Sequence, residues 1–249
     1  MIDLVDRFVD RKAVKEEIIA AVVPHGGYLS SGVVAGSVYS RIERLDSAVI
    51  LGACHTPGPR PLALMRRGKW MTPLGEMSVD EELAEAILSA APEIEDNPSA
   101  VGSEHSIEVQ LPFLQRVLSL RRFVPVVIGS TTPEVLMEFG QALARAIRQI
   151  NRRTIILIST NLTRLEPVER VQEKDKKTIE RIVALDETGL LQSVEREDLS
   201  MCGAAAAAAG ITAAKSLGAT EARLTNYFNN KTTAGTDLPV SGYAGILIR

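Results

Sequence analysis

Residues 21–32 read AVVPHGGYLSSG, and this stretch decides the class of fold. An apolar run of strand length, Ile18 to Val23, stops at Pro24. A histidine and two glycines make the turn. A helical apolar period follows from about Gly32 to Leu45, with Val33, Val34, Val38 and Ile42 on one face. A strand that is apolar along its whole length, turned tightly into a helix, is the repeating unit of a sheet covered on both faces. In open sheets of this kind ligands gather outside the carboxyl ends of the strands, and His25 stands at one such end.

The unit recurs along the chain. Ala48–Ala53, Phe123–Ile128 and Thr154–Ser159 are further continuous apolar strands, and RLTNYF (223–228) and GYAGILI (242–248) read as two more at a mixed edge. Helices separate them. Ser78 and Glu81 suggest a capping box ahead of ELAEAILSA, and Pro133 takes a first helical position before EVLMEFGQALARAIRQI. A helix over about 106–120 carries Ile107, Leu111, Leu114 and Leu118 at helical spacing, with Pro112 kinking it or limiting its first turns. Residues 168–185 form a charged helix whose narrow apolar face is Ile179, Ile182 and Val183. The alanine run after Cys202 reads as a tightly packed helix. With no repeat and no linker, the expectation is one domain over residues 1–249, a three-layer α/β/α fold with a largely parallel or mixed sheet.

Bulk properties narrow the function. The 249 residues are 45 % hydrophobic and 24 % charged, enough for a sizeable core and unlike a disordered chain. A formal net charge of −3 and 4 % aromatics argue against nucleic acid as a partner. No apolar run approaches the roughly 18 residues of a bilayer span, so no membrane association is expected. The N-terminal residues lack the apolar centre of a signal peptide. The expected location is cytoplasmic, where two cysteines stay reduced.

Chemistry concentrates at strand ends. His55 follows the second apolar strand as His25 follows the first, and two histidines on strands expected to be neighbours can converge on one metal ion. Cys202, at the expected start of the alanine-rich helix, is the leading third ligand, because a helix N-terminus favours the thiolate that binds metal. A histidine at a strand end also serves as a hydrogen-bonded structural group, and a single cysteine as a small buried apolar residue, so position alone leaves both readings open. Cys54, next to His55, reads as core. His105 and Glu108 share a helix face, with Ser103 as a candidate cap; His105 fits an acid/base group, a partner of a metal ligand, or a helix-start residue bonded to a neighbouring loop. HExxH, P-loop, GxGxxG, GxSxG and CxxC patterns are absent.

Taken in order, the segments VPHGGYLSSG, ILGACHTPG, TPLGEMSVD, EHSIEVQLPFL, VPVVIG, ISTNLTR, MCG and SGYAGILI cover nearly the whole chain and together resemble the MEMO family. The resemblance implies a fold similar to that of the class III extradiol ring-cleaving dioxygenases. It implies metal positions at His25, His55 and Cys202, with His105 in the family's EHS motif, and a transition metal such as iron, copper or zinc as cofactor. It also implies a metal-dependent oxidoreductase acting on a small molecule. The alternative is a non-catalytic module that binds a ligand or protein. Prokaryotic members are associated with a radical-SAM protein, which is therefore an expected partner. One segment departs from the family pattern. Where members read Ser-Asp-Phe-Ser-His, this chain has Asn161 at the Asp position and Arg164 at the His position. Arginine cannot exchange a proton near neutral pH. Either His105 takes over that role, or this member does no such proton chemistry. Arg164 is then an anion-binding residue or an ordinary surface arginine.

Overall fold

In the computed structural model, which describes residues 1–55, 62–102, 104–129, 131–231 and 239–249, the apolar runs pair where their length and burial require. The elements in chain order are α1 (Ile2–Asp6), β1 (Ala20–Val23), α2 (Tyr28–Tyr39), β2 (Ser47–Ala53), β3 (Leu62–Leu64), β4 (Lys69–Thr72), β5 (Gly75–Val79) and α3 (Glu81–Ala90). Next come β6 (Glu95–Asp96), α4 (Pro98–Val101), α5 (His105–Glu108), α6 (Leu111–Val117), β7 (Arg122–Ile128), α7 (Pro133–Ile150) and β8 (Thr154–Ser159). The chain ends with α8 (Val168–Val183), α9 (Glu187–Arg196), α10 (Ala204–Leu217), β9 (Ala222–Asn229) and β10 (Gly242–Ile248).

Among the described residues, ten strands form one sheet in the order β4-β5-β7-β2-β8-β1-β10-β9, with β3 added to β7 and β6 to β3. The four central strands, β7, β2, β8 and β1, run parallel, so their carboxyl ends share one edge. β10 and β9 continue antiparallel beyond β1, the mixed edge expected from the sequence. Side chains alternate between two cores. Val49, Leu51, Ile156 and Ile158 face the layer of α3, α7 and α10, and Ala48, Ile50, Ile155 and Leu157 face the layer of α2 and α6. This is the expected three-layer α/β/α arrangement. The alanines of α10 are buried almost throughout, and their small side chains let α10 lie close against both α7 and the sheet.

Several expectations change. β1 and β2 are not neighbours, because β8 lies between them. The helix after His25 begins at Tyr28, a turn earlier than its apolar face suggested, and ends at Tyr39. Ser78 lies within β5 and caps nothing; Asp80 caps α3 by accepting from the Leu83 N–H. The 106–120 helix is two short helices, α5 and α6, with Pro112 in the first turn of α6, where its missing N–H costs no helical bond. Glu104, by accepting from the Ser106 N–H, caps α5; Ser103 lies outside the described residues. Strands β3 to β6 carried no clear sequence signal, since they are two to five residues long. Among the described residues no helix is long and apolar enough to cross a membrane.

Candidate metal centre

β8 ends in the pocket between the two histidine-bearing strands. Ser159 stands level with Val23 of β1 and with Gly52 of β2. His25 therefore leaves β1 on one side of Ser159, and His55 leaves β2 on the other. Gly52 lets the third histidine approach. A Cβ there would come within 2.6 Å of Ser106 Oγ and 2.8 Å of Ile107 Cγ1, so only glycine allows α5 to sit directly on the end of β2. Ser106 Oγ then donates to the Ala53 carbonyl (3.2 Å), and His105 is carried to the pocket mouth. The start of α10 delivers Cys202, locked by the Gly203 N–H donating to Thr160 Oγ1 (2.9 Å).

The three imidazoles cluster. Ring centroids are 5.1 Å apart for His25 and His55, 5.4 Å for His25 and His105, and 4.4 Å for His55 and His105. One nitrogen from each lies within 4.8 Å of the other two. Cys202 Sγ is 3.3 Å from His25 Nε2. The sequence-derived trio of His25, His55 and Cys202 thus meets in one pocket at the carboxyl edge, with His105 beside it.

Hydrogen bonds fix which nitrogen each ring presents. Ser159 Oγ donates its proton to the Ser106 carbonyl (2.6 Å) and accepts from Gln110 Nε2 (3.0 Å). Towards His25 Nδ1, at 3.2 Å, it can only accept. Nδ1 carries a hydrogen, and Nε2 faces Cys202. Gln110 is held in turn by donating to the Pro24 carbonyl (2.9 Å) and accepting from the Tyr39 hydroxyl (2.9 Å). Glu104, 3 % exposed, accepts from both the His55 N–H and His55 Nδ1 at 2.8 Å, so His55 also presents Nε2. Glu104 Oε1 lies 3.4 Å from His105 Nδ1. Metal-binding histidines are oriented by this kind of outer bond from the second nitrogen.

Charge in the pocket is strongly biased. Burial opposes ionisation of the Cys202 thiol, but its hydrogen bonds with His25 and His55 and the charge interaction with His25 outweigh it and bring its pKa down to about 5. The hydrogen bond with Cys202 raises His55 to about 9 against burial, and Glu104 adds to the rise. Since Nδ1 is taken by Glu104, the proton shared with the sulfur sits on His55 Nε2. Burial pushes Glu104 up, yet the His55 and Ser106 backbone N–H groups win and hold it below the usual carboxylate value. Burial and the neighbouring His55 charge lower His105. In metal-stripped protein on a Cys54→Ser background, the pH profile of Cys202 alkylation by iodoacetamide should have its midpoint near pH 5. His55→Gln should move it upward. A midpoint at the ordinary thiol value in both proteins would contradict the ion pair.

The remaining sequence candidates divide. Asn161 Oδ1 accepts from the His25 N–H (3.0 Å), and the Asn161 N–H donates to Cys202 Sγ (3.3 Å), so Asn161 spans both sides of the site as a positioning group. Arg164 is exposed; its N–H donates to Ser200 Oγ (3.1 Å), and its side chain has no ion-pair partner among the described residues. Its charge reaches Tyr243, whose pKa burial raises and Arg164 opposes. The Tyr243 ring lies over Gly26, next to His25. Cys54 is exposed, not core, because β2 ends at Ala53 and the chain leaves the sheet there. Glu104, Gln110 and Ser159 were not singled out from sequence. Ser159 had a readable signal, a lone hydroxyl closing an apolar strand at the ligand-bearing edge. Glu104 stood in plain view beside His105, but its reach to His55 depends on the packing of α5 on β2.

The family model described as Memo-like protein matches residues 2–247. The MEMO1 family protein of Methanopyrus kandleri is 41 % identical over 232 residues, which cover 92 % of this chain and 82 % of that protein. The MEMO1 family protein of Pyrobaculum aerophilum is 37 % identical over 234 residues, covering 93 % and 83 %. That of Methanosarcina mazei is 37 % identical over 235 residues, covering 94 % and 87 %. With a family match from the first helix to the last strand, the chain belongs to the MEMO family.

Proposed function

We propose that the protein holds a transition metal ion through His25, His55 and Cys202 and uses it in oxidoreductase chemistry on a small molecule. The observation that supports this best is the orientation of the donors: His25 and His55 each commit Nδ1 to an outer partner and leave Nε2 facing the Cys202 sulfur. Two imidazoles and a thiolate form a donor set suited to copper(I) or zinc, and iron(II) also accepts it. Such an ion supplies Lewis-acid or redox chemistry when bound. The chain's own residues supply the rest. Glu104 and Ser159 hold the two imidazoles, and Asn161 fixes the His25 backbone relative to Cys202. His105, half exposed at the mouth and lowered in pKa, is neutral at physiological pH and so can accept a substrate proton. Arg164 stands beside this region as a permanent cation suited to an anionic substrate group.

The second reading is a binding module, favoured by one observation: the residue at the family's carboxylate position, Asn161, spends its side-chain oxygen on the His25 backbone. Chelation separates the two. An enzyme loses turnover when the metal is removed, whereas a module keeps its affinity for its partner.

The metal reading carries a defined pH dependence. Between about pH 5 and 9 the metal-free pocket holds one proton between His55 and the thiolate, and a metal ion must displace it. Affinity should therefore rise about tenfold per pH unit across that window, with about one proton released per metal. Below the thiol pKa a second proton competes and the slope steepens. Calorimetric titrations in buffers of different ionisation enthalpy read the proton count directly. A pH-independent affinity would mean that these groups are not the ligands.

A further inference from the structure

At the opposite edge of the sheet, the loops leading into β2, β7 and β8 and the end of α6 border a groove of about 1000 Å³. Its charge is unlike that of the chain as a whole. Lys15, Arg44, Arg121, Arg122, Arg152 and Arg153 line it against two carboxylates, Glu43 and Asp46, in a protein of net charge −3. Part of this charge is spent. Arg152 pairs with Asp80 and Glu82, and Arg153 lies near Asp46. Lys15, Arg44, Arg121 and Arg122 have no ion-pair partner among the described residues, and all four are exposed. Four like charges gathered on one concave surface repel one another, and an anion seated among them relieves that repulsion.

Local structure presents them there. α6 ends at Val117, and Ser119 adopts a left-handed conformation (φ 54°) that lets the Leu120 N–H return to the Leu114 carbonyl (3.0 Å). This closure buries Leu118 and Leu120 in the core and leaves the next two residues, Arg121 and Arg122, exposed at the start of β7. Leu45 and Val117, both half-buried, give the groove its accessible apolar surface.

We propose that this groove is a second ligand site, for a small organic polyphosphate such as a nucleotide. The phosphates would lie on Arg44, Arg121, Arg122 and Lys15, and the apolar or planar part on Leu45 and Val117. Guanidinium groups suit phosphate because they bond it bidentately. The groove's volume of about 1000 Å³ and the chain's net charge of −3 favour a small polyanion over a nucleic-acid chain. β2 runs for seven residues, roughly 20 Å, between this edge and the histidine cluster, so the ligand acts apart from the metal pocket.

The test uses the whole protein and three probes: ATP, inorganic tripolyphosphate and adenosine. Calorimetry should show ATP binding that weakens with added salt, weaker binding of tripolyphosphate, and no measurable binding of adenosine alone. Arg121→Ser with Arg122→Ser should weaken ATP about tenfold or more, as loss of two charge-assisted hydrogen bonds implies. An unchanged far-ultraviolet circular dichroism spectrum and thermal melting curve of the same variant report that it is folded. Arg122→Glu should abolish ATP binding. The proposal is overturned if ATP fails to bind at about 1 mM, or if the serine variant binds it as well as the unaltered protein. Equal effects of sulfate at matched ionic strength would mean an adventitious ion only. Preference for single-stranded DNA over ATP would assign the groove to nucleic acid instead.

Discussion

Cys202→Ser is expected to strip the protein of its metal. In the proposed centre the thiolate is a ligand in its own right, and its hydrogen bond is also what raises His55. Its loss should cost more than that of an outer partner. Glu104→Gln keeps the shape of the side chain but removes the carboxylate that orients His55, and should lower metal affinity about 10- to 100-fold. Cobalt(II) reports the difference. A thiolate-to-metal absorption band should appear in the unaltered protein and in Glu104→Gln at higher metal concentration, and be missing from Cys202→Ser. Full metal content in Cys202→Ser with unchanged affinity would move the site to the three imidazoles of His25, His55 and His105, whose nitrogens also lie within reach of one another.

The largest expected loss of stability comes from Gly242→Ala. Asp175, on α8 and 0 % exposed, accepts from the Thr163 N–H (2.8 Å) and the Tyr227 hydroxyl (2.8 Å). Burial raises its pKa. Gly242 at the start of β10 lies directly against it, and a Cβ there would overlap the carboxylate and come within 2.5 Å of its Cγ. Overpacking of this kind in an interior costs about 3 kcal/mol, which lowers the melting temperature of a chain this size by roughly 6–12 °C. Asp175→Ala removes the obstacle but orphans two donors, at about 1–3 kcal/mol each. The double variant should therefore lose clearly less than the sum of the two singles. Strict additivity would show that the carboxylate is not what Gly242 accommodates. Because the Gly242 N–H donates to the Thr163 carbonyl and the Leu162 N–H to the Gly242 carbonyl, the same clamp holds the loop that carries Asn161. Both single variants should also weaken the metal.

Much of the fold was legible because buried parallel strands must be apolar along their whole length. Ala48–Ala53, Phe123–Ile128 and Thr154–Ser159 were found to within a residue, and the alanine run had to be a helix pressed closely against its neighbours. Short edge strands such as Leu62–Leu64 and Glu95–Asp96 were not, since they owe their pairing to β7 and to each other and have no period of their own. The site divides in the same way. The residue pattern already put His25 and His55 at the ligand-bearing edge, because chain direction through a parallel sheet fixes which end of each strand is which, and put Cys202 at the start of the alanine-rich helix. How they meet depends on packing. Packing placed β8 between β1 and β2, so that Ser159 and the loop after it with Asn161 come from a segment that sequence order does not put beside either histidine. It also seated α5 on Gly52, which turned Glu104 from a surface acid beside His105 into the buried carboxylate that orients His55. Contacts between residues 49 or 136 positions apart are set by packing, and no local pattern of residue types encodes them.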